Sequence, residues 1–334
     1  MTSKRSTYIL KVAALAVVAL AVILAFLVAG SHVMQPKDNS PEAGMIEPEA
    51  NGIMGESAGS IDVLFLGDSV TYNGVSPLQM WNEHGFTSYA CASPGQALAY
   101  SNTLMHRAFE GPHPQRPQVV VIEAAPIFTS LSAGNAASRI AQDIFPILEF
   151  HSRWKSLTWD DFTQQPQATW TDELKGFRIY KETKPADAAD HMAPTDEAEP
   201  IGRVNNLYLE YIVNYCRENG ATPVIVSIPS MANWNMARHN SVAAWAEAHG
   251  VDFIDFNTGQ DKAPIDWFAQ TKDGGNHLNY DGATAFTHKL GAVLAQRYNL
   301  PDHRNDPAYA TEWDAAYADY TRIVDEGTQQ YNEA

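Results

Sequence analysis

Five short apolar runs recur along the chain, each giving way to a helical pattern, and this alternation restricts the fold more than any other feature. The runs occupy residues 61–66, 87–91, 118–123 (QVVVIE), 222–227 and 251–255. The first is a short apolar, β-rich run of the kind found in a strand buried on both faces. After the first run, Ser76-Pro77 supplies an N-cap and a first-turn proline, Leu78 and Trp81 are three apart, and Gly85 closes a short helix. Ala97, Ser101, Leu104, Met105 and Ala108 make the small or apolar face of a second helix. Val204, Leu207, Tyr208, Tyr211, Ile212 and Tyr215 form a longer stripe that ends at Gly220. Val242, Trp245 and Ala246 mark a helix ending at Gly250, and Ala283, Phe286, Leu290, Val293 and Leu294 mark the last strong one. Strands and helices in alternation predict a three-layer α/β/α fold with a mainly parallel five-stranded sheet over residues 61–300. Ligands of such sheets bind beyond the carboxyl ends of the strands. Chemistry is therefore expected at residues 67–73, 92–96, 123–128, 228–235 and after 256.

Ahead of the fold, residues 12–30 (VAALAVVALAVILAFLVAG) run without a charge, preceded by Tyr8, Ile9 and Leu10. At about 1.5 Å per residue this approaches the roughly 30 Å of a bilayer core. Lys4, Arg5 and Lys11 lie on the N-terminal side. The positive-inside rule then leaves the N-terminus cytoplasmic and the remainder extracellular. The apolar stretch exceeds the usual signal-peptide core of about 7–15 residues, which favours a transmembrane anchor through residues 8–30 over cleavage near Ala29-Gly30-Ser31. Residues 31–60 are rich in Pro, Gly, Glu and Ser, show no apolar period, and are expected to form a flexible linker. The expected organisation is a stub and anchor at 1–30, the linker at 31–60, the α/β domain at 61–300 with an insertion at 126–200, and an acidic extension at 301–334. The insertion carries Trp154, Trp159 and Trp170, and the extension shows a helical pattern around 313–324.

Charge excludes one class of partner. With 39 acidic against 22 basic residues the formal charge is -17, a field that repels phosphate backbones, so nucleic acid is not an expected partner. The 11 histidines are scattered without CxxC or HExxH spacing, and neither a metal nor another cofactor is expected. Two cysteines, Cys91 and Cys216, leave open one bridge or two buried thiols.

At the end of the first strand stands Gly67-Asp68-Ser69, where a strand-to-helix turn would expose the serine hydroxyl. A serine hydroxyl attacks an acyl carbon only with a base in hydrogen-bond reach, normally a histidine oriented by a carboxylate. After the fifth strand, KDGGNHLNYDGATAF places His277 in a Gly-rich loop before the last helix, with Asp273 four residues upstream. A loop turning on two glycines would bring Asp273 back to the imidazole.

FLGDSVTYNGVSP resembles the first block of the GDSL or SGNH hydrolase superfamily, and DGGNHLNYDGA resembles its last. SPGQ at Ser93 to Gln96 is similar in position to the second, and IPSMANWNMARHNSVAAWAEAHGVDFIDFN resembles a membrane-anchored, outward-facing bacterial branch. The resemblance covers roughly residues 61–300. It implies Ser69 as nucleophile, His277 as base and Asp273 as its orienter, with the Ser69 and Gly95 amides as oxyanion donors and Asp68 and Asn279 in support. Two departures stand out. The family places the Asp three residues before the His, where this chain has Gly274, and its third-block asparagine is replaced by Glu123-Ala124-Ala125-Pro126. Asn205 and Asn235 are the candidates for the missing donor.

The implied activity is that of a serine esterase or O-acyltransferase on acyl groups, O-acetyl above all, of an extracellular polysaccharide. The implied partners are that polymer or another acyl ester, the membrane through residues 8–30, and a membrane acyl-transfer protein. A non-catalytic surface protein of the same fold, binding glycan or an acyl-transfer partner, is the competing class. A lipase or thioesterase is the third, and it requires an apolar trough beside Ser69.

Overall fold

The computed structural model describes residues 2–326, with side chains from residue 6 onward. Five parallel strands, β1 (Val63–Gly67), β2 (Ser88–Ala92), β3 (Val119–Glu123), β4 (Thr222–Ser227) and β5 (Asp252–Asp255), form one sheet in the order β2-β1-β3-β4-β5. The helices are α1 (Thr2–Met34), α2 (Pro48–Asn51), α3 (Ser69–Gly74), α4 (Pro77–His84), α5 (Leu98–Glu110), α6 (Ala133–Ile144), α7 (Asp160–Thr163), α8 (Arg203–Glu218), α9 (Met236–His249), α10 (Tyr280–Tyr298) and α11 (Pro307–Glu326).

Strand geometry divides the core in two. Successive side chains of a strand point to opposite faces, so Leu64, Leu66, Val120 and Ile122 pack with Leu104 of α5 and Leu209 and Ile212 of α8. Val63, Phe65, Val119 and Val121 pack on the other face with Phe286, Leu290 and Leu294 of α10. Both faces are covered, which explains the apolar character of β1 and β3, whose residues are all buried. The chain moves from β1 outward to β2, then crosses back to β3 on the other side. That reversal beside β1 is the topological switch point at which open α/β sheets place their ligands.

The acidic extension supplies α11, which lies against α4 through the fully buried Trp81 and Trp313, their ring centroids 5.6 Å apart. The Trp81 indole donates to Asp314 Oδ1 at 2.9 Å. Rings buried in this way typically cost about 3–5 kcal/mol when truncated. Cys91 and Cys216 are separate buried thiols.

The flexible linker expected at 31–60 is corrected by the structure, which packs this segment onto the domain. Asn39 and Asn51 are fully buried, and Ala50 and Ile53 belong to the core. Asn39 donates to Asn51 O at 3.1 Å and Trp170 O at 2.7 Å. Arg107 donates to Asn51 Oδ1 at 2.8 Å, and the buried Lys175 and Glu56 pair at 2.8 Å. Single buried anchors hold the segment, and such anchors leave no apolar period for a sequence pattern to register. Within residues 126–200, α6 and α7 are followed by extended coil that returns to the edge of β2, where the Ala90 amide donates to Lys175 O at 2.9 Å.

Candidate active site

Local hydrogen bonding places Ser69 at the switch point. β1 stops at Gly67, and Asp68 caps the next helix, its Oδ1 accepting from the Val70 amide at 2.8 Å. Ser69 is therefore the first residue of α3, where backbone N–H groups have no intrahelical acceptor. The Asn73 amide group donates to Ser69 O at 2.5 Å and pins the turn from inside.

The hydroxyl of Ser69 meets His277, with Oγ and Nε2 2.8 Å apart. On the far side of the ring, Nδ1 lies 2.5 Å from Asp273 Oδ2. If the carboxylate takes the Nδ1 proton's hydrogen bond, Nε2 is left as the acceptor for the serine hydroxyl. The three residues thus form one continuous chain of hydrogen bonds across 208 residues of sequence separation. Such a chain can take the proton of Ser69 as its oxygen bonds to an acyl carbon.

The unusual spacing of Asp273 is accommodated by the loop. Thr271 and Leu278 pair as an antiparallel bridge, and between them Gly274 and Gly275 adopt φ of +83° and +95°. Two successive residues in that region turn the chain tightly enough for Asp273 to fold back. Its Oδ1 then accepts the His277 amide at 2.8 Å while Oδ2 serves the ring. Thr271 Oγ1 accepts from Gly275 N at 2.7 Å and donates to His277 O at 2.9 Å. A buried network behind β4 and β5 props the same loop. Asn257 Oδ1 accepts the Ser230 amide at 3.1 Å, Ser230 Oγ donates to Asn276 O at 2.7 Å, and Met231 N donates to Gly275 O at 2.7 Å. Asn279 caps α10 through Gly282 N at 3.1 Å and donates to Ala269 O at 2.8 Å, so it shapes the loop and does not face the hydroxyl.

Gly95 lies in the turn after β2, alongside the end of β1 through the Gly67 and Ala92 register pair. Gln96 holds this turn from beneath, donating to Cys91 O at 3.2 Å and Ser101 Oγ at 3.0 Å. Asn205 is not placed as a donor to the site. Both hydrogens of its amide group are spent, on Ile127 O at 2.8 Å and Thr129 O at 2.7 Å, fastening the loop after β3 to α8. Asn235 caps α9, accepting from Arg238 N at 2.9 Å.

Where the resemblance calls for an asparagine, Glu123 is fully enclosed beneath the Ser69 turn. Burial, and then the charge of nearby Asp68, push its carboxyl well above the ordinary range. One oxygen accepts from Ala125 N at 2.8 Å, and the other has no hydrogen-bond partner. Asp68 is also pushed up by burial, against the opposing pull of the Val70 amide and His277.

Sequence patterns did not single out the coil at 175–186, which runs from the edge of β2 across to the histidine loop. Arg178 N donates to Tyr72 O at 2.8 Å, Tyr280 N to Tyr180 O at 2.7 Å, Lys184 N to Thr271 O at 2.9 Å and Gly274 N to Lys184 O at 3.0 Å. Arg178 stacks 4.4 Å over the Tyr72 ring and Lys272 lies 3.5 Å over Tyr180. The only signal available was the aromatic and basic character of FRIYK, which has no secondary-structure period.

No protein-family model matches the chain, and no curated protein matches it. Among solved structures it is similar to a GDSL-like lipase from Bacteroides thetaiotaomicron, at 14% identity over 71% of this chain and 87% of that one, TM-score 0.33. It is also similar to a lipase/acylhydrolase from Enterococcus faecalis, at 11% identity over 71% and 96%, TM-score 0.36. A family two carbohydrate esterase from Clostridium thermocellum aligns at 11% identity over 74% and 66%, TM-score 0.35. At these scores the likenesses carry no argument of their own, and the chemistry is read from Ser69, His277 and Asp273 in this chain.

Proposed function

We propose that the protein is a serine-dependent ester hydrolase or O-acyltransferase of the GDSL/SGNH type, acting on O-acetyl groups of extracellular polysaccharide. The observation that carries this reading is the unbroken path from Ser69 Oγ through His277 to Asp273, at 2.8 and 2.5 Å, at the switch point of the sheet.

In the proposed reaction Ser69 Oγ bonds to the ester carbonyl carbon while His277 Nε2 takes the hydroxyl proton. The resulting oxyanion is met by the Ser69 and Gly95 amides, donors of a kind worth about 3–4 kcal/mol each in barrier lowering. The sugar oxygen then leaves with the proton from His277, and the acyl group remains on Ser69. Water, or a second sugar hydroxyl, attacks that ester, giving its proton to His277 and then to Ser69 Oγ as the serine is released. Asp273 fixes the ring and balances the charge on the imidazolium. The partly exposed Asp273 and the open space around Gly95 suit a bulky polymer more than a buried acyl trough. Placement outside the cell rests on Lys4, Arg5 and Lys11 preceding the apolar run.

The test follows acetate release from an aryl acetate and from O-acetylated oligosaccharides by the full chain in detergent, with and without a deacetylated acceptor. Release from the oligosaccharide that disappears in Ser69→Ala supports the proposal, and acetylated acceptor identifies a transferase. Full activity in Ser69→Ala would sink it, and Ser69-dependent turnover restricted to long-chain esters would move it to the lipases.

A further inference from the structure

We propose that residues 140–162 form a collar that rests in the bilayer interface around the foot of α1, seating the domain directly on the membrane. This inference assumes that α1 spans the bilayer, as proposed from its length and composition: Ser6–Met34 is the one helix among the described residues long and apolar enough to cross.

α1 changes surroundings abruptly at its C-terminal end. Val28 is 59% exposed, whereas Ser31 is buried. A Cβ added at Gly30 would lie 2.5 Å from Ile147 Cδ1, Ile147 N donates to Ser31 Oγ at 3.3 Å, and Arg153 donates to Met34 O at 2.7 Å. Residues 147–153 therefore grip the helix within one turn of its last lipid-length residue. From Gly30 to Met34 the helix rises about 6 Å, close to the roughly 5–7 Å depth of one headgroup layer. Whatever surrounds that turn lies at headgroup depth.

The surrounding surface has the composition of that layer. Outside α1, ten large apolar side chains are exposed among the described residues, and six of them fall in this segment: Ile140, Ile144, Leu148, Trp154, Trp159 and Phe162. Trp159 is 78% exposed and Trp154 is 63% exposed. A cluster of this kind is unfavourable against bulk water, and an indole, with an apolar body and a polar N–H, is most stable at a membrane interface. Lys155 lies 5.9 Å from the Trp154 ring, where its ammonium can reach phosphate while its stem stays with the apolar side chains. The close grip on α1 and the packed 31–60 segment leave no slack for the domain to drift from this surface.

The test places the full chain in phospholipid vesicles whose acyl chains are brominated near the headgroup end, and reads tryptophan emission. α1 contains no tryptophan, so quenching reports on the body of the protein. The proposal expects quenched wild-type emission relative to unbrominated vesicles, and loss of most of that quenching in Trp154→Phe/Trp159→Phe. The six remaining tryptophans then serve as the folding control. Absence of quenching in the wild type, or equal quenching in the variant, overturns it. Indoles unreached by bromine yet shielded from acrylamide would show that another protein covers the face, which also overturns it. Chain recovered free of vesicles with a mass lacking the apolar run would instead overturn the anchor itself, an outcome distinct from an anchored chain with unquenched indoles.

Discussion

Asp273 reaches His277 only because Gly274 and Gly275 turn the chain between them. The proposed role of its carboxylate is to hold the Nδ1 proton and the ring angle together. Asp273→Asn is therefore expected to lower ester turnover by about 10⁴-fold at unchanged thermal midpoint, the loss seen when a triad carboxylate becomes an amide. Glu123 offers a different measurement. As a buried acid with a raised folded pKa, it contributes its stability in full below the ordinary carboxylate range and loses it as pH rises toward the folded value. Glu123→Gln keeps a carbonyl for Ala125 N and removes the titration. The midpoint of the wild type should fall relative to the variant from about pH 5 upward, and parallel profiles would contradict the upward shift. At this scale the sequence singled out residues by local position, and the structure brings Ser69, His277 and Asp273 within hydrogen-bond distance of one another. Ser69 follows the end of β1 directly, and His277 lies in the loop between β5 and α10. The partners of Asn205, the carbonyls of Ile127 and Thr129, are brought to it only by tertiary structure, so its position near a helix start could not reveal them.

Among the elements, all five strands and the longer helices of the sandwich were legible, since burial on two faces writes itself as apolar runs and helical stripes. α3 was not, being only six residues long and fixed by the Asp68 cap more than by any period. The 31–60 segment was read as a tether on composition, yet its fixation depends on a few polar residues buried far from their sequence neighbours. Asn51 is the clearest of these, donating to Ile46 O at 2.9 Å and Glu47 O at 3.0 Å and accepting from Arg107. Asn51→Ala should destabilise the full chain by about 1–3 kcal/mol, the cost of stranding buried partners. Denaturant unfolding in detergent would read this, and an unchanged midpoint would mean that the segment is a tether after all. The 175–186 coil was illegible for a similar reason. It runs along the site by backbone hydrogen bonds to other segments, and its own sequence carries no period.

For the molecule as a whole, the parts agree in direction. A long apolar helix leads into a docked foot, a parallel sheet carries Ser69 and His277 on its carboxyl edge, and α11 packs against α4. The net charge of -17 opposes approach to anionic surfaces generally, so the proposed membrane seating rests on the apolar collar more than on charge. The central claim is that Ser69 carries the acyl group. A stoichiometric fluorophosphonate, which traps activated serines, followed by intact mass and peptide mapping of the full chain, tests it most directly. The account predicts a single adduct on Ser69, absent in Ser69→Ala and formed slowly in Asp273→Asn. An unlabelled Ser69 in a protein that still hydrolyses esters, or an adduct on another residue, would contradict it.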